Sequence, residues 1–220
     1  AEPQKPAAVA SLPRPDAATP GPPPLDDATV RKLLPEFSLE FARQALSTFR
    51  AEATPRAMAV ARGKGYWRVW NQQTREDARD MALEACEFQY RAACRLVMLD
   101  DEAGDAPARA MPRLARTGPI SAADVPFVRA STRKGRDLLN YPAERGPKAI
   151  AIAPSGALRI AFAATQREAE TKALADCAAG KPHGGCFLYA VGDQIVLAKR
   201  ATEPLSAAGE TPQVAPSVAP

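Results

Sequence analysis

Histidine is almost missing from this chain: of 220 residues only His183 is one. A histidine-based triad or a two-histidine metal site therefore cannot be assembled from the chain alone. His183 lies in the loop Gly180-Lys181-Pro182-His183-Gly184-Gly185 with no acid beside it, and reads as a solvated side chain. Long apolar runs are also lacking; none approaches the roughly 20 residues of a membrane-spanning helix. Neither sign of charge dominates. The net charge is +4 with acids and bases interleaved, unlike the concentrated basic face, set with aromatics, of a nucleic-acid binder.

The short motifs of chemistry are missing too. Gly63-Lys64-Gly65 lacks the rest of a phosphate-binding loop, and Ser155, within Pro-Ser-Gly, lacks the flanking glycines of a nucleophile elbow. Asp100-Asp101-Glu102 with Asp105 is the densest acidic run, but the central glycine and terminal glutamate of a calcium loop are absent. Each reads as a turn or a solvated loop, so no catalytic residue, cofactor or metal is expected.

What the chain does have is one unit written twice. Thr74 to Leu99 reads TREDARDMALEACEFQYRAACRLVML, and Thr165 to Val191 reads TQREAETKALADCAAGKPHGGCFLYAV. Each opens on a threonine with an acid three residues later (Asp77, Glu168), a helix-capping pair. Each then runs through an alanine-rich helix to a cysteine, soon a second cysteine, and a short apolar strand. Upstream, Pro55-Arg56-Ala57-Met58-Ala59-Val60-Ala61 is answered by Pro147-Lys148-Ala149-Ile150-Ala151-Ile152-Ala153. The unit predicts β-β-α-β: strands at 57–61 and 66–71, a helix at 75–88 and a strand at 95–99, then 149–153, 157–162, 166–177 and 187–191. The fold class is α+β with antiparallel-rich sheet, in one sheet or two.

Four cysteines in matching short-range pairs predict the disulfides Cys86–Cys94 and Cys177–Cys186. Zinc ligands stand two to four residues apart, which these spacings do not fit. Two disulfides point to a periplasmic or secreted protein. The start at Ala1-Glu2-Pro3 fits cleavage of a signal peptide, as it fits any trimming of a longer chain.

Six segments follow: a proline-rich extended tail (1–24, eight prolines), a helical segment (25–52), the first repeat (55–102), a basic linker (103–146), the second repeat (147–198) and a second proline-rich tail (199–220). In the helical segment Phe41, Ala45 and Phe49 form one apolar stripe, to be covered by a sheet face or by a partner. Strand alternation puts Met58 and Val60 on one side and alanines on the other, as with Ile150 and Ile152. The third strands are apolar on both faces and so covered on both. Repeat helices cover one face; the N-terminal helix and the linker are the candidates for the other. In the second strands Trp67 and Val69 answer Leu158 and Ile160, while Tyr66, Arg68 and Trp70 answer Ala157, Arg159 and Ala161.

That last row is either core beneath the N-terminal helix or an exposed aromatic–arginine surface, suited to a protein interface or to sugar stacking. Arg133, Lys134 and Arg136, with Arg129, Arg113 and Arg116, form the strongest positive cluster. It is a solvated linker, or a surface for lipid head groups, an acidic protein patch or a polyanionic glycan. Pro22, Pro23 and Pro24 complete the candidate partner-binding set.

The motif Lys/Arg-Ala-x-Ala, then Ala-x-x-x-Ala-Leu-x-x-Cys and a Cys-led apolar strand, resembles small secreted bacterial domains of unknown function with an alanine-rich helix and paired cysteines. The β-β-α-β order is similar to the sporulation-related peptidoglycan-binding repeat. The second copy fits best; the first departs at Trp67, Trp70 and its charged helix. The likeness covers about half the chain and brings no catalytic residues. The expectation is a non-catalytic periplasmic accessory subunit of a larger envelope complex, such as the small cofactor-free subunit of a membrane-associated, quinoprotein-type dehydrogenase. The alternative is a binding module for peptidoglycan or another envelope polymer.

Overall fold

Two sheets, with helices packed outside each and a helix and linker between them, stack in five layers. The computed structural model describes residues 23–104 and 107–197. Pro22 and almost all of both proline-rich tails lie outside that range. Helix α1 (Asp27–Leu33) is capped by Asp26, whose carboxylate accepts the Thr29 N–H at 2.7 Å. Pro35 separates it from α2 (Leu39–Ala51), which Ser38 caps. The first sheet holds β1 (Ala57–Ala61), β2 (Gly65–Val69), β3 (Arg95–Leu99) and β4 (Glu102–Ala103) in the order β2-β1-β3-β4. Helix α3 (Arg75–Tyr90) connects β2 to β3. After the linker the pattern recurs as β6 (Lys148–Ile152), β7 (Leu158–Phe162), α6 (Gln166–Ala179), β8 (Phe187–Val191) and β9 (Gln194–Ile195). The linker contributes β5 (Gly118–Pro119), which pairs with β9, and two short helices, α4 (Ala130–Arg133) and α5 (Arg136–Asn140). Each copy is thus β-β-α-β plus a two-residue return strand, and the copies form separate sheets, all antiparallel.

The duplication reaches details that pattern alone does not show. The third strand bulges at the same place in both copies, between the partners of Met58/Ala59 and of Ile150/Ala151. The carbonyl of the bulged residue accepts a return-strand N–H, Gly104 to Val97 and Val196 to Tyr189. A buried cation stands at the start of each first strand, Arg56 just before β1 and Lys148 as the first residue of β6. Arg56 donates to Asp101, and Lys148 pairs with Asp193 at 2.6 Å while capping the carbonyls of Tyr141 and Glu144.

Register corrects one expectation. Val60 stands opposite Tyr66 and Met58 opposite Arg68, whereas Ile152 stands opposite Leu158 and Ile150 opposite Ile160. Tyr66, Arg68 and Trp70 therefore answer Leu158, Ile160 and Phe162, and the buried Trp67 answers Arg159. The offset between copies is one residue larger in the strands than in the helices. Copy one has an extra residue between β2 and α3, where Asn71 takes a positive φ of 54°.

Alternation then sorts the core. The alanine faces, being the shallow ones, admit a helix at close range: α3 on Ala57, Ala59 and Ala61, and α6 on Ala149, Ala151, Ala153 and Ala161. On the opposite face of the first sheet α1 and α2 bury Val30, Leu34, Leu46 and Phe49 against Met58, Val60, Val97 and Met98. The corresponding face of the second sheet (Ile150, Ile152, Tyr189) packs on the linker (Val125, Phe127, Val128, Leu138) and on the far side of α3. So α3 and the linker form a middle layer that both sheets share. Phe88 of α3 marks the junction, with ring centroids 5.3 Å from Phe127 and 4.8 Å from Phe187.

Both expected disulfides are present, Cys86–Cys94 and Cys177–Cys186, each tying the end of a repeat helix to the following strand. Replacing Cys177 and Cys186 together by alanine is expected to cost about 2–3 kcal/mol, read as a lowered urea midpoint, because the closed loop is short.

Candidate functional site

Helix α3 carries acids at positions 77, 80, 84 and 87, spaced i, i+3, i+7, i+10, so all four lie on one face. That face meets the linker. The Asp77 carboxylate accepts the Ala130 N–H, Glu84 accepts that of Phe127 and Glu87 that of Met111, each at 2.7 Å. Arg113 donates to Glu84 and lies 3.5 Å from Asp80, while an Arg133 nitrogen stands 4.0 Å from Glu84. The chain could leave these linker amides to water only by giving up the apolar contacts beside them; the acids allow both. In α6 the threonine cap and Glu168 close a reciprocal capping box. In α3 the corresponding Asp77 turns to the linker instead.

Glu84 is fully buried. Burial pushes its carboxyl above the usual carboxylate range, against the pull of the Phe127 N–H, Arg113 and Arg133. Glu87 moves up for the same first reason. A carboxyl raised in the folded state binds more protons folded than unfolded, so stability falls as pH rises from about 4.5 through the raised value. The wild type's advantage over Glu84→Gln, measured by thermal melting, is expected to shrink as pH climbs from 4.5 toward neutrality. Glu102 acts oppositely and lower down: its pairing with Arg75 lowers its pKa from 4.5, and that contribution fades only below 4.5.

The expected positive cluster is divided by the fold. Arg113 and Arg133 face Glu84, and Arg133 also donates to the Val125 carbonyl. Arg129 donates to Gln72 and to the Asn71 carbonyl. Arg116 pairs with Asp124. Lys134 and Arg136 remain exposed. The acidic run is likewise not a free loop: Asp100 accepts the Arg56 N–H, Asp101 meets Arg56 and Arg50, and Glu102 meets Arg75. Among the described residues no group of three or more His, Cys, Asp or Glu side chains is placed to hold a metal ion.

The row on β2 is split. Tyr66 is half-buried in an aromatic trio with Phe37 and Phe41, centroids 6.3 and 5.9 Å away. Arg68 lies with its guanidinium carbon 5.7 Å from the centroid of the Trp70 ring. Trp70 is 43% exposed and Phe41 42%. The surface therefore runs from Phe41 past Tyr66 and Arg68 to Trp70, along the edge of the first sheet. Pro23 and Pro24 are exposed, and the Pro23 carbonyl is held by Arg50. His183 is exposed as expected, yet it is not simply solvated. Its ring lies 4.9 Å from that of Trp67, so the hairpin of the second copy seals the first. Among the described residues, no helix is long and apolar enough to cross a membrane. With all four cysteines bonded, the chain fits an oxidising, extracytoplasmic setting.

The alanine pattern pointed to Trp67 only as a strand residue; its pairing with a loop of the other copy had no sequence signal. The acid stripe did have one, in its helical spacing on the side of α3 next to Ala78, Met81 and Ala85. No family model, curated protein or solved structure matches the chain.

Proposed function

We propose that this chain is a non-catalytic periplasmic accessory protein, docking on a larger envelope complex through the β2 edge that runs from Phe41 to Trp70. The observation that carries the reading is Trp70, half-exposed under the Arg68 guanidinium. Exposed tryptophan and arginine side by side are the commonest anchors of protein interfaces, and the stacked cation loses less freedom on binding than a solvated one. Most of the linker's arginines are engaged with the protein itself, which leaves this edge as the better candidate.

Purification from the native host is expected to bring a stoichiometric partner, and Trp70→Ala to reduce its recovery at least about tenfold while leaving thermal stability nearly unchanged. Recovery of the same partner regardless of Trp70, or a lone monomer from native extract, would refute the reading. A quinone-type cofactor in the co-purified subunit would support the finer assignment to a dehydrogenase complex.

The second reading is an envelope-polymer module. It is favoured by the hydrogen-bonding groups beside the exposed ring, Arg68, Gln72 and Arg129, and by the likeness to a peptidoglycan-binding repeat. It predicts co-sedimentation with purified sacculi that Trp70→Ala abolishes.

A further inference from the structure

Each sheet has one full-length outer strand, β2 in the first and β7 in the second. Antiparallel pairing leaves every second residue of such a strand with its N–H and C=O pointing away from the sheet. In the second copy the Ala153 N–H bonds to the Ala157 carbonyl and the Ala163 N–H to that of Pro147. Residues 157, 159, 161 and 163 therefore face β6, and Leu158, Ile160 and Phe162 present their backbone outward. The same count puts Tyr66, Arg68 and Trp70 outward in the first copy.

The two edges are not equivalent. On β2 the Tyr66 carbonyl accepts the Tyr90 hydroxyl at 2.9 Å and the Trp70 carbonyl accepts the Gln72 amide at 2.8 Å. On β7 the one side-chain contact to an outward carbonyl, among the described residues, is Arg159 to Leu158, an exposed contact between neighbours. A large apolar side chain also stands exposed at this edge: Phe162 is 48% exposed, its ring 6.3 Å from that of the buried Tyr141.

We propose that β7 is a self-association edge: two copies of this chain pair β7 against β7, antiparallel, about a two-fold axis at Ile160. The strand LRIAF is complementary to itself in that register. Ile160 meets Ile160, and Leu158 meets Phe162 of the second copy. These are the outward-facing residues, so both contacts are hydrogen-bonded pairs, and the Phe162 N–H of one copy replaces the Arg159 contact at Leu158 of the other. On the opposite face Arg159 meets Ala161, so no charge is set against its like. Side chains 158, 160 and 162 of both copies line one face and cover the apolar surface at Phe162. The result joins the two five-stranded sheets edge to edge. An interface this small belongs to the weak class. The proposal is independent of the docking reading, which uses the other sheet.

Sedimentation velocity of the full chain over roughly 5–500 µM is expected to show a monomer–dimer equilibrium. Phe162→Glu should weaken it at least about tenfold, and adding Leu158→Lys should restore it to within about threefold, because the introduced charges face each other only in this register. Leu158 is half-buried, so a measurement without substitution accompanies these. Amide exchange at Leu158, Ile160 and Phe162 in the wild type should slow about fivefold across the same concentrations. A chain that stays monomeric overturns the proposal and leaves the edge to a strand of another protein. Association that ignores Phe162→Glu, with unchanged exchange at the three amides, overturns it as well.

Discussion

Replacing Glu84 by alanine is expected to destabilise the protein by about 3–5 kcal/mol, the scale of breaking a buried ion pair from one side. The side chain is fully buried and serves the Phe127 N–H and Arg113 at once, with Arg133 close by. Its loss leaves the buried Phe127 amide without its acceptor, takes from Arg113 its closest one and from Arg133 a nearby counter-charge, and opens a void between α3 and the linker. Buried polar atoms in or against this layer that already lack a partner within the protein include a terminal nitrogen of Arg133, one carboxylate oxygen of Asp77 and the Tyr189 hydroxyl. The check is urea unfolding followed by circular dichroism at neutral pH. A loss under about 1 kcal/mol, the ordinary figure for an exposed pair, would mean that the linker is held by its apolar residues alone.

The second large effect is expected at Trp67, where alanine should cost about 3–5 kcal/mol. Trp67 is buried on the alanine face of the first sheet, and the hairpin of the second copy closes over it through His183 and Gly184. A Cβ on Gly184 would come within 2.9 Å of the indole, and that glycine also holds a positive φ of 86°. Truncating Trp67 therefore removes core from one copy and a contact between copies together. Denaturant unfolding should show a lower midpoint with an unchanged slope if both copies still unfold as one unit. A split into two transitions would show instead that Trp67 is what couples them.

How much of this could be read from the residues depends on what repeats and what does not. The threonine caps, the alanine spacing and the cysteine pairs recur, and each names its own local partner: a helix start, a shallow strand face, a bridge to the next strand. They gave the element order and both disulfides. The second strands were matched one residue out because the helices' offset was carried to them, although the first strands already stand one residue further apart and Asn71 lengthens one copy's connection. The return strands β4 and β9 were missed, being too short for any period to register. Glu84 illustrates the harder limit. Four acids at helical spacing mark one face of α3, but only the distant residues 111–133 show that the face is turned inward. The exposed end of the β2 row was legible as an alternative to core, since nothing in the alternation of Tyr66, Arg68 and Trp70 says how far α2 extends across them.

The shared middle layer has a consequence for the order of assembly. A polypeptide delivered amino end first completes its first sheet and α3 while residues 111–133 are still to come. At that moment the acid stripe faces water, and the carboxylates repel one another along the helix. The arginines and amides that quench those charges arrive later on the same strand of chain. Charge repulsion along that stripe is therefore expected to oppose self-association of a first copy released early, through the same side chains that later lock the stack.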